Sequence, residues 1–168
     1  MAAVAAQQPV SAQIVGNAFV EQYYHILHHS PRQAYRFYHD ISKLGRPEED
    51  GSMGITTTMD AIDKKIVSLN YEDFRAEIKS MDAQESFNGG VQVLVTGNLT
   101  GKDNTVRNFV QAFFLAPQDR GYFVLNDMFR YVDTVAPNPA LVSDTVIPTA
   151  AAEPGNAYIF VPLVFCTF

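Results

Sequence analysis

Three histidines near the start of the chain stand at spacings that could hold a metal ion. His25, His28 and His29 lie three and four residues apart, which in a helix would place two imidazoles on one face. His39 could add another ligand. No glutamate follows in the arrangement of a zinc-protease helix, and the single cysteine, Cys166, lies far along the chain. We therefore expect histidines that suit the negative end of a helix dipole, and no metal site.

Tyrosine and aspartate residues form a second group that could do chemistry. In cone-shaped α+β enzymes a buried carboxylate takes a proton and a tyrosine steadies the enolate. The residues of these types are Tyr23, Tyr24, Tyr38, Asp40 and Asp127. We expect Asp127 to pair with Arg130 or with a backbone amide, and the chain has neither a glycine-rich phosphate loop nor a nucleophile elbow. We expect no catalytic residue and no cofactor, and an isomerase or dehydratase remains the alternative of another class.

A stripe on the first predicted helix is typical of peptide binding. Val15, Phe19 and Gln22 lie beside the main apolar face of that helix, and Arg36 and Phe37 follow in a short second helix. An aromatic groove with amide and guanidinium groups at its rim can hold a short peptide through an aromatic anchor. The alternative is that Phe19 and Phe37 are core residues, which periodicity alone does not exclude.

Helices are predicted for the first part of the chain. Ser11 can cap a helix of about four to five turns. Pro31 then opens a short helix that ends at Tyr38. The polar segment 43–54 is predicted to be a loop, and 56–69 a third helix with apolar residues at spacings of three and four.

Strands are predicted from Phe74 onward, where the apolar period changes to two. A change of parity predicts a bulge near Lys79 and Ser80, and the sequence Asn88-Gly89-Gly90 predicts a hairpin turn. Two later strands, 107–116 and 122–133, are apolar on both faces. Because three helices can cover only one face of a sheet, we expect an α+β domain that forms a homodimer through the other face.

Composition limits the partners and the extent of the domain. The net charge is −6 and the basic residues are scattered, so we expect no direct binding of nucleic acid. We expect a loose tail over 1–10, one domain over 11–133, and a linker with an apolar C-terminal tail over 134–168. The final apolar run, 157–168, is too short to span a bilayer. The N-terminus is a poor signal peptide, so we expect a cytosolic protein without membrane association.

Several motifs resemble a known family over residues 15–133. They are Val15-Gly16, Phe19-Val20, Gln22-Tyr23-Tyr24, Arg36-Phe37-Tyr38, Leu115-Ala116-Pro117 and Asn126-Asp127-Met128-Phe129-Arg130-Tyr131. Together they resemble the nuclear transport factor 2-like domain of the Rasputin family, the Ras-GAP SH-three-domain-binding proteins. The loop Leu44-Gly45-Arg46-Pro47 resembles plant members in particular.

This resemblance implies a fold, a site and a function. The fold is a cone in which three N-terminal helices cover a bent antiparallel sheet that dimerises. The implied pocket for Phe-Gly peptides consists of Val15, Phe19, Gln22, Arg36, Phe37 and Tyr122. The expected function is peptide docking and dimerisation in a scaffold of ribonucleoprotein (stress) granules, by a chain truncated before the RNA recognition motif. The alternative within the superfamily is a nuclear transport factor that carries Ran and binds nucleoporin repeats.

Overall fold

The first helix, α1, spans Ala12–His29 and covers much of the core. The computed structural model describes residues 10–132. The predicted tails over 1–10 and 134–168, except for Val10, therefore lie outside the described residues. The hydroxyl of Ser11 accepts a hydrogen bond from the Ile14 amide at 3.4 Å, which caps the helix as predicted. One side of α1 is buried through Ala12, Gly16, Val20, Tyr23, Tyr24 and Leu27.

Two shorter helices complete the helical layer. The second is a 3₁₀ helix over Pro31–Phe37 with the proline in its first turn. The third, α2, spans Met59–Ser68 and buries Ile62 and Ile66. It begins three residues later than predicted, because Thr58 adopts a φ of 72° and its side chain caps the helix through the Ala61 amide.

A single sheet of six strands forms the rest of the described chain, in the order β2-β1-β6-β5-β4-β3. The strands are β1 Tyr38–Pro47, β2 Met53–Thr56, β3 Arg75–Glu85, β4 Val91–Thr100, β5 Val106–Pro117 and β6 Tyr122–Tyr131. All neighbours pair antiparallel except β1 and β6, which are parallel. The α+β class is confirmed, and the sheet is mixed where a purely antiparallel one was expected.

The prediction of a polar loop over 43–54 is wrong for most of that segment. Its first part belongs to β1 and its last part to β2, with only a short turn between them. Ser42 and Arg46 are polar but buried, so the hydrophobic pattern of the sequence does not indicate this strand. Pairing with β6 fixes this strand, because it supplies backbone partners and a countercharge for Arg46.

Irregularities in the strands set the direction of several side chains. The register shift between Ile78 and Ser80 confirms the predicted bulge in β3. The hairpin turn after it is confirmed, with Asn88 and Gly89 at φ 53° and 77°. A second shift, between Phe114 and Leu115, leaves Leu125 of β6 without an opposite residue. The alternation of inward and outward side chains along β6 is therefore interrupted at Leu125.

The close approach of α1 to the sheet depends on Gly16. A Cβ atom at this position would lie 2.7 Å from the Cβ atom of Ala83 in β3. No pair of carbon atoms packs that closely, so glycine lets the helix sit directly on the strand. The same close approach lets Val15 and Phe19 of α1 pack against the core.

Candidate functional site

An apolar groove of about 320 Å³ lies between α1 and the beginning of β6. Its wall on the helix side is Val10, Ile14, Val15, Ala18, Phe19 and Gln22, and its other wall is Phe37, Leu115, Tyr122, Phe123 and Val124. None of these side chains carries a charge. Leu115 and Val124 are each 1% exposed and belong to the core, whereas Tyr122 is 37% exposed. The groove therefore offers an apolar surface with two hydrogen-bonding groups, the Gln22 amide and the Tyr122 hydroxyl.

Aromatic contacts hold the inner end of the groove. The Phe19 ring packs edge-on against Phe37 and Phe113, with centroid distances of 5.8 and 4.9 Å. Tyr23 lies behind both phenylalanines, with centroid distances of 5.3 Å to Phe19 and 5.5 Å to Phe37. These edge-to-face contacts fix the ring positions before any ligand arrives.

The structure brings together five of the six residues predicted to form the peptide pocket. Val15, Phe19, Gln22, Phe37 and Tyr122 all line the groove. Arg36 does not line it and is exposed on the 3₁₀ helix next to Phe37. Any contact between Arg36 and a bound peptide would therefore lie outside the groove itself.

Sequence reasoning missed the floor and one end of the groove. Leu115, Phe123 and Val124 line it, although none of them was predicted as a site residue. The inward position of Val124 depends on the bulge at Leu125, which brings Val124 and Asp127 to the same side of the sheet. A change of hydrophobic parity within β6 would have been the only signal, and the strand is apolar on both faces.

A buried ion pair lies deeper in the cone. Arg46 donates from Nη1 to Oδ1 of Asp127 at 2.8 Å and from Nη2 to Oδ2 at 3.0 Å. Gln111 donates to Oδ1 at 2.8 Å, and Tyr71 accepts from Nε of Arg46 at 2.9 Å. Burial alone would lower the pKa of Arg46, but the adjacent carboxylate raises it well above its ordinary value. The prediction that Asp127 pairs with Arg130 is wrong, since the Arg130 guanidinium donates to the Gly51 carbonyl.

Tyrosines complete this polar network. Tyr38 donates to Oδ2 of Asp127 at 2.7 Å and Tyr23 donates to the same oxygen at 3.1 Å. Tyr24 donates to the Gln111 side chain at 2.7 Å. Burial, followed by the charge of Asp127, raises the pKa of both Tyr23 and Tyr38. All these hydroxyls therefore stay protonated and act as donors at neutral pH.

The geometry of Asp127 resembles a catalytic carboxylate only in part. It lies within hydrogen-bonding distance of two tyrosines, as the enzyme alternative requires. However, it is 0% exposed, its oxygens are occupied by five donors, and it does not line the groove. The Asp40 carboxylate has a structural contact, because it accepts a hydrogen bond from the Met59 amide at the start of α2.

The histidines make separate local contacts. His25 and His29 stack with centroids 4.4 Å apart, and His39 stacks on Phe123 at 3.9 Å. His28 donates from Nδ1 to the Tyr71 carbonyl at 2.8 Å, while its Nε2 is buried without a hydrogen-bond partner. Between Val10 and Val132 no group of three or more His, Cys, Asp and Glu side chains is arranged to hold a metal ion. In the same range no helix is long and apolar enough to cross a bilayer.

Fold and groove together define a small cone-shaped α+β domain, with helices on one face of a curled mixed sheet and an apolar groove at one end. Residues 15–131 match the family described as the nuclear transport factor 2 (NTF2) domain. The chain belongs to this family. The predicted fold is thereby confirmed, since a nuclear transport factor 2 structure from Cryptosporidium parvum is similar at a TM-score of 0.64 and 30% identity. That similarity covers 72% of this chain and 94% of the other.

Two curated relatives define the comparison further. A protein of Arabidopsis thaliana named nuclear transport factor 2 is 60% identical over 132 residues, which is 76% of this chain and 29% of that protein. A G3BP-like protein of Schizosaccharomyces pombe is 36% identical over 118 residues, which is 70% of this chain and 27% of that protein. The chain thus spans less than a third of the length of either relative.

These comparisons correct the functional expectation. The relative that shares 60% identity is named a nuclear transport factor, as is the Cryptosporidium protein of similar fold. The expected role as a stress-granule scaffold is therefore wrong, and the alternative within the superfamily is favoured. Membership of the Rasputin branch is not confirmed, although the relative from Schizosaccharomyces pombe is named a G3BP-like protein.

Proposed function

We propose that this domain is a non-catalytic docking module of a nuclear transport factor, which binds short Phe-Gly segments in its apolar groove. The observation that carries the proposal is the uncharged groove with Phe19, Phe37 and Tyr122 in its walls. A phenylalanine side chain suits a surface of this kind, because its burial releases water from both partners. A neighbouring glycine lets the peptide backbone approach the wall closely.

The polar groups at the groove fit a peptide backbone. Gln22 is exposed on α1 and lines the groove, so its amide can both donate to and accept from a main-chain group. The Tyr122 hydroxyl offers a second such contact on the opposite wall. A neutral rim favours recognition of the backbone over recognition of a charged side chain.

A binding role is also supported by the state of the buried carboxylate. Asp127 is neutralised by Arg46 and saturated with hydrogen bonds, so it has no free oxygen for taking a proton from a substrate. Catalysis by a cone-pocket isomerase would need this carboxylate to be open to a ligand. We infer that the network stabilises the cone and does not react.

Nucleoporin repeats are the proposed source of the Phe-Gly segments and Ran is the proposed cargo, which places the protein in the cytosol and at nuclear pores. This step is supported by the resemblance to transport factors and by the names of the relatives. A pull-down with purified Ran, loaded with GDP or with GTP, tests the cargo separately from the groove. Failure to retain Ran in either state would refute the cargo and leave the groove untouched.

The outer face of the sheet is proposed to bind a second copy of the chain. One cross-strand row on this face consists of Leu94, Ala112, Met128, Gly45 and Ile55, which are opposite one another in successive strands. Leu94, Met128 and Ile55 are 43%, 54% and 65% exposed. An apolar row of this extent across five strands is typical of an interface. A dimer would present two grooves and raise the avidity for repeated segments.

Titration of a Phe-Gly peptide into the wild type and into Phe37→Ala tests the groove. Loss of an aromatic anchor wall should weaken binding at least about tenfold. Phe87→Ala is the matched control, because it also truncates a phenylalanine but lies outside both the groove and the apolar row, at 80% exposure. Circular dichroism of each variant checks the fold. Binding that is absent in the wild type, or unchanged in Phe37→Ala, would refute the groove as the site.

A further inference from the structure

The C-terminal run of the chain has the same chemical character as the groove. Residues 157–168 contain no Asp, Glu, Lys or Arg, and they include Phe160, Phe165 and Phe168. We propose that this segment binds in the groove of its own chain and competes there with peptides from other proteins. The inference rests on the proposed function, because it assigns a regulator to the same groove.

Size and polarity support a phenylalanine of this segment as the occupant. The groove of about 320 Å³ is at the lower end of the range for ligand pockets, roughly 300–1,000 Å³. It therefore suits one aromatic side chain with its neighbours at a time. The segment supplies three such side chains, in Phe160, Phe165 and Phe168.

The connecting segment is long enough for this contact. The described chain ends at Val132, just past β6, while Val124 of the groove lies near the start of the same strand. The distance along the strand is about 27 Å at roughly 3.4 Å per residue. Residues 133–156 are 24 positions, which at full extension reach roughly 80 Å at about 3.3–3.6 Å per residue. This reach exceeds the distance to the groove.

The outer face of the sheet fits this segment less well than the groove. The apolar row on that face is bordered by Lys43, Asp82 and Arg130, which belong to the same face. An uncharged segment lying there would remove water from charged groups without giving them a partner. The groove has no charged side chain in its walls and so imposes no such cost.

Tethering makes even a weak contact effective. A segment and a groove that belong to the same chain meet at an effective concentration that can reach the millimolar range. An external peptide must compete with it, so its apparent affinity should be at least about threefold weaker than for a chain whose segment cannot bind.

The single cysteine provides a direct test in the full chain. Cys166 lies between Phe165 and Phe168, and a nitroxide label attached to it broadens the nuclear magnetic resonance signals of nearby methyl groups. We expect the methyl signals of Ile14 and Leu115, which line the groove, to be broadened. This broadening should disappear when the nitroxide is reduced. Broadening confined to Leu94 and Met128 on the sheet face, or no broadening, would overturn the inference.

Competition separates this inference from the proposed function. The triple variant Phe160→Ser, Phe165→Ser and Phe168→Ser should bind added Phe-Gly peptide at least about threefold more tightly than the wild type. Val142→Ser, Val146→Ser and Ile147→Ser is the matched control, since it makes the same kind of change in the connecting segment. Equal binding by all three proteins would refute the role of the segment and retain the groove. Absence of binding in all three would refute the groove, and the relaxation experiment would still report where the segment lies.

Discussion

Arg46 and Asp127 form a bidentate ion pair in which the guanidinium is 2% exposed and the carboxylate 0%. Removal of one partner leaves the other as a buried charge without a countercharge, which typically costs about 3–5 kcal/mol. We therefore expect Asp127→Asn to lower the free energy of unfolding by roughly this amount in urea denaturation. The double variant Arg46→Met, Asp127→Leu should lose less than Asp127→Asn, because no charge remains buried. A larger loss in the double variant would show that the pair contributes mainly through packing.

Tyr38→Phe tests the hydroxyl that donates to Asp127. The hydrogen bond is 2.7 Å long and fully buried, so its removal should destabilise the protein by about 1–3 kcal/mol. Tyr122→Phe is the matched control, since it removes a hydroxyl from a ring that is 37% exposed, and we expect a change within about 0.5 kcal/mol. Thermal unfolding of both variants measures the difference. Equal effects would contradict the special role of the buried network.

Met128→Glu tests the proposed dimer. Met128 is 54% exposed at the centre of the apolar row, where a carboxylate would have to be buried against a second copy. We expect the variant to sediment as a monomer at micromolar concentration, whereas the wild type sediments as a dimer. Gln13→Glu adds the same charge at an exposed position on α1 and should leave the wild-type behaviour unchanged. A monomeric wild type would end the dimer proposal.

His28 predicts how stability depends on pH. Burial, with a contribution from neighbouring His29, lowers the pKa of His28 below its ordinary value of 6.5. The unfolded chain keeps the ordinary pKa of 6.5, and the folded chain has the lower one. Between the two, the unfolded chain binds a proton that the folded chain does not, so stability falls as the pH falls through 6.5. The loss levels off below the pKa of the folded state. His28→Gln should flatten this part of the curve, and His25→Gln, at an exposed position, should leave it unchanged.

Local patterns were sufficient to predict the elements whose signals are local. The Ser11 cap, the bulge at Lys79 and the turn at Asn88-Gly89 each depend on residues within a few positions of one another. The groove was predicted in part for the same reason, since Val15, Phe19 and Gln22 share one helix. Phe37 was added from the short second helix that follows, whereas Tyr122 came from the family resemblance alone, and both line the groove.

The parts that escaped prediction depend on distant pairings. β1 contains buried Ser42 and Arg46, and nothing near them in sequence explains their burial. Only the alignment with β6 supplies the carboxylate that makes Arg46 acceptable in the core. The inward direction of Asp127 in turn depends on the bulge at Leu125, which a strand apolar on both faces does not reveal.

The separation between Arg46 and Asp127 also has a consequence for biosynthesis. The two residues are 81 positions apart, and within residues 10–132 β1 joins strands β3 to β5 only through β6, the last strand described. At about 5–20 residues per second, a ribosome needs roughly 4–16 seconds to add Asp127 after Arg46. During this interval the helices and β1 have emerged without the strand that completes them. Folding of the nascent domain must therefore wait for its final strand, and fragments that end before β6 should be substrates for chaperones.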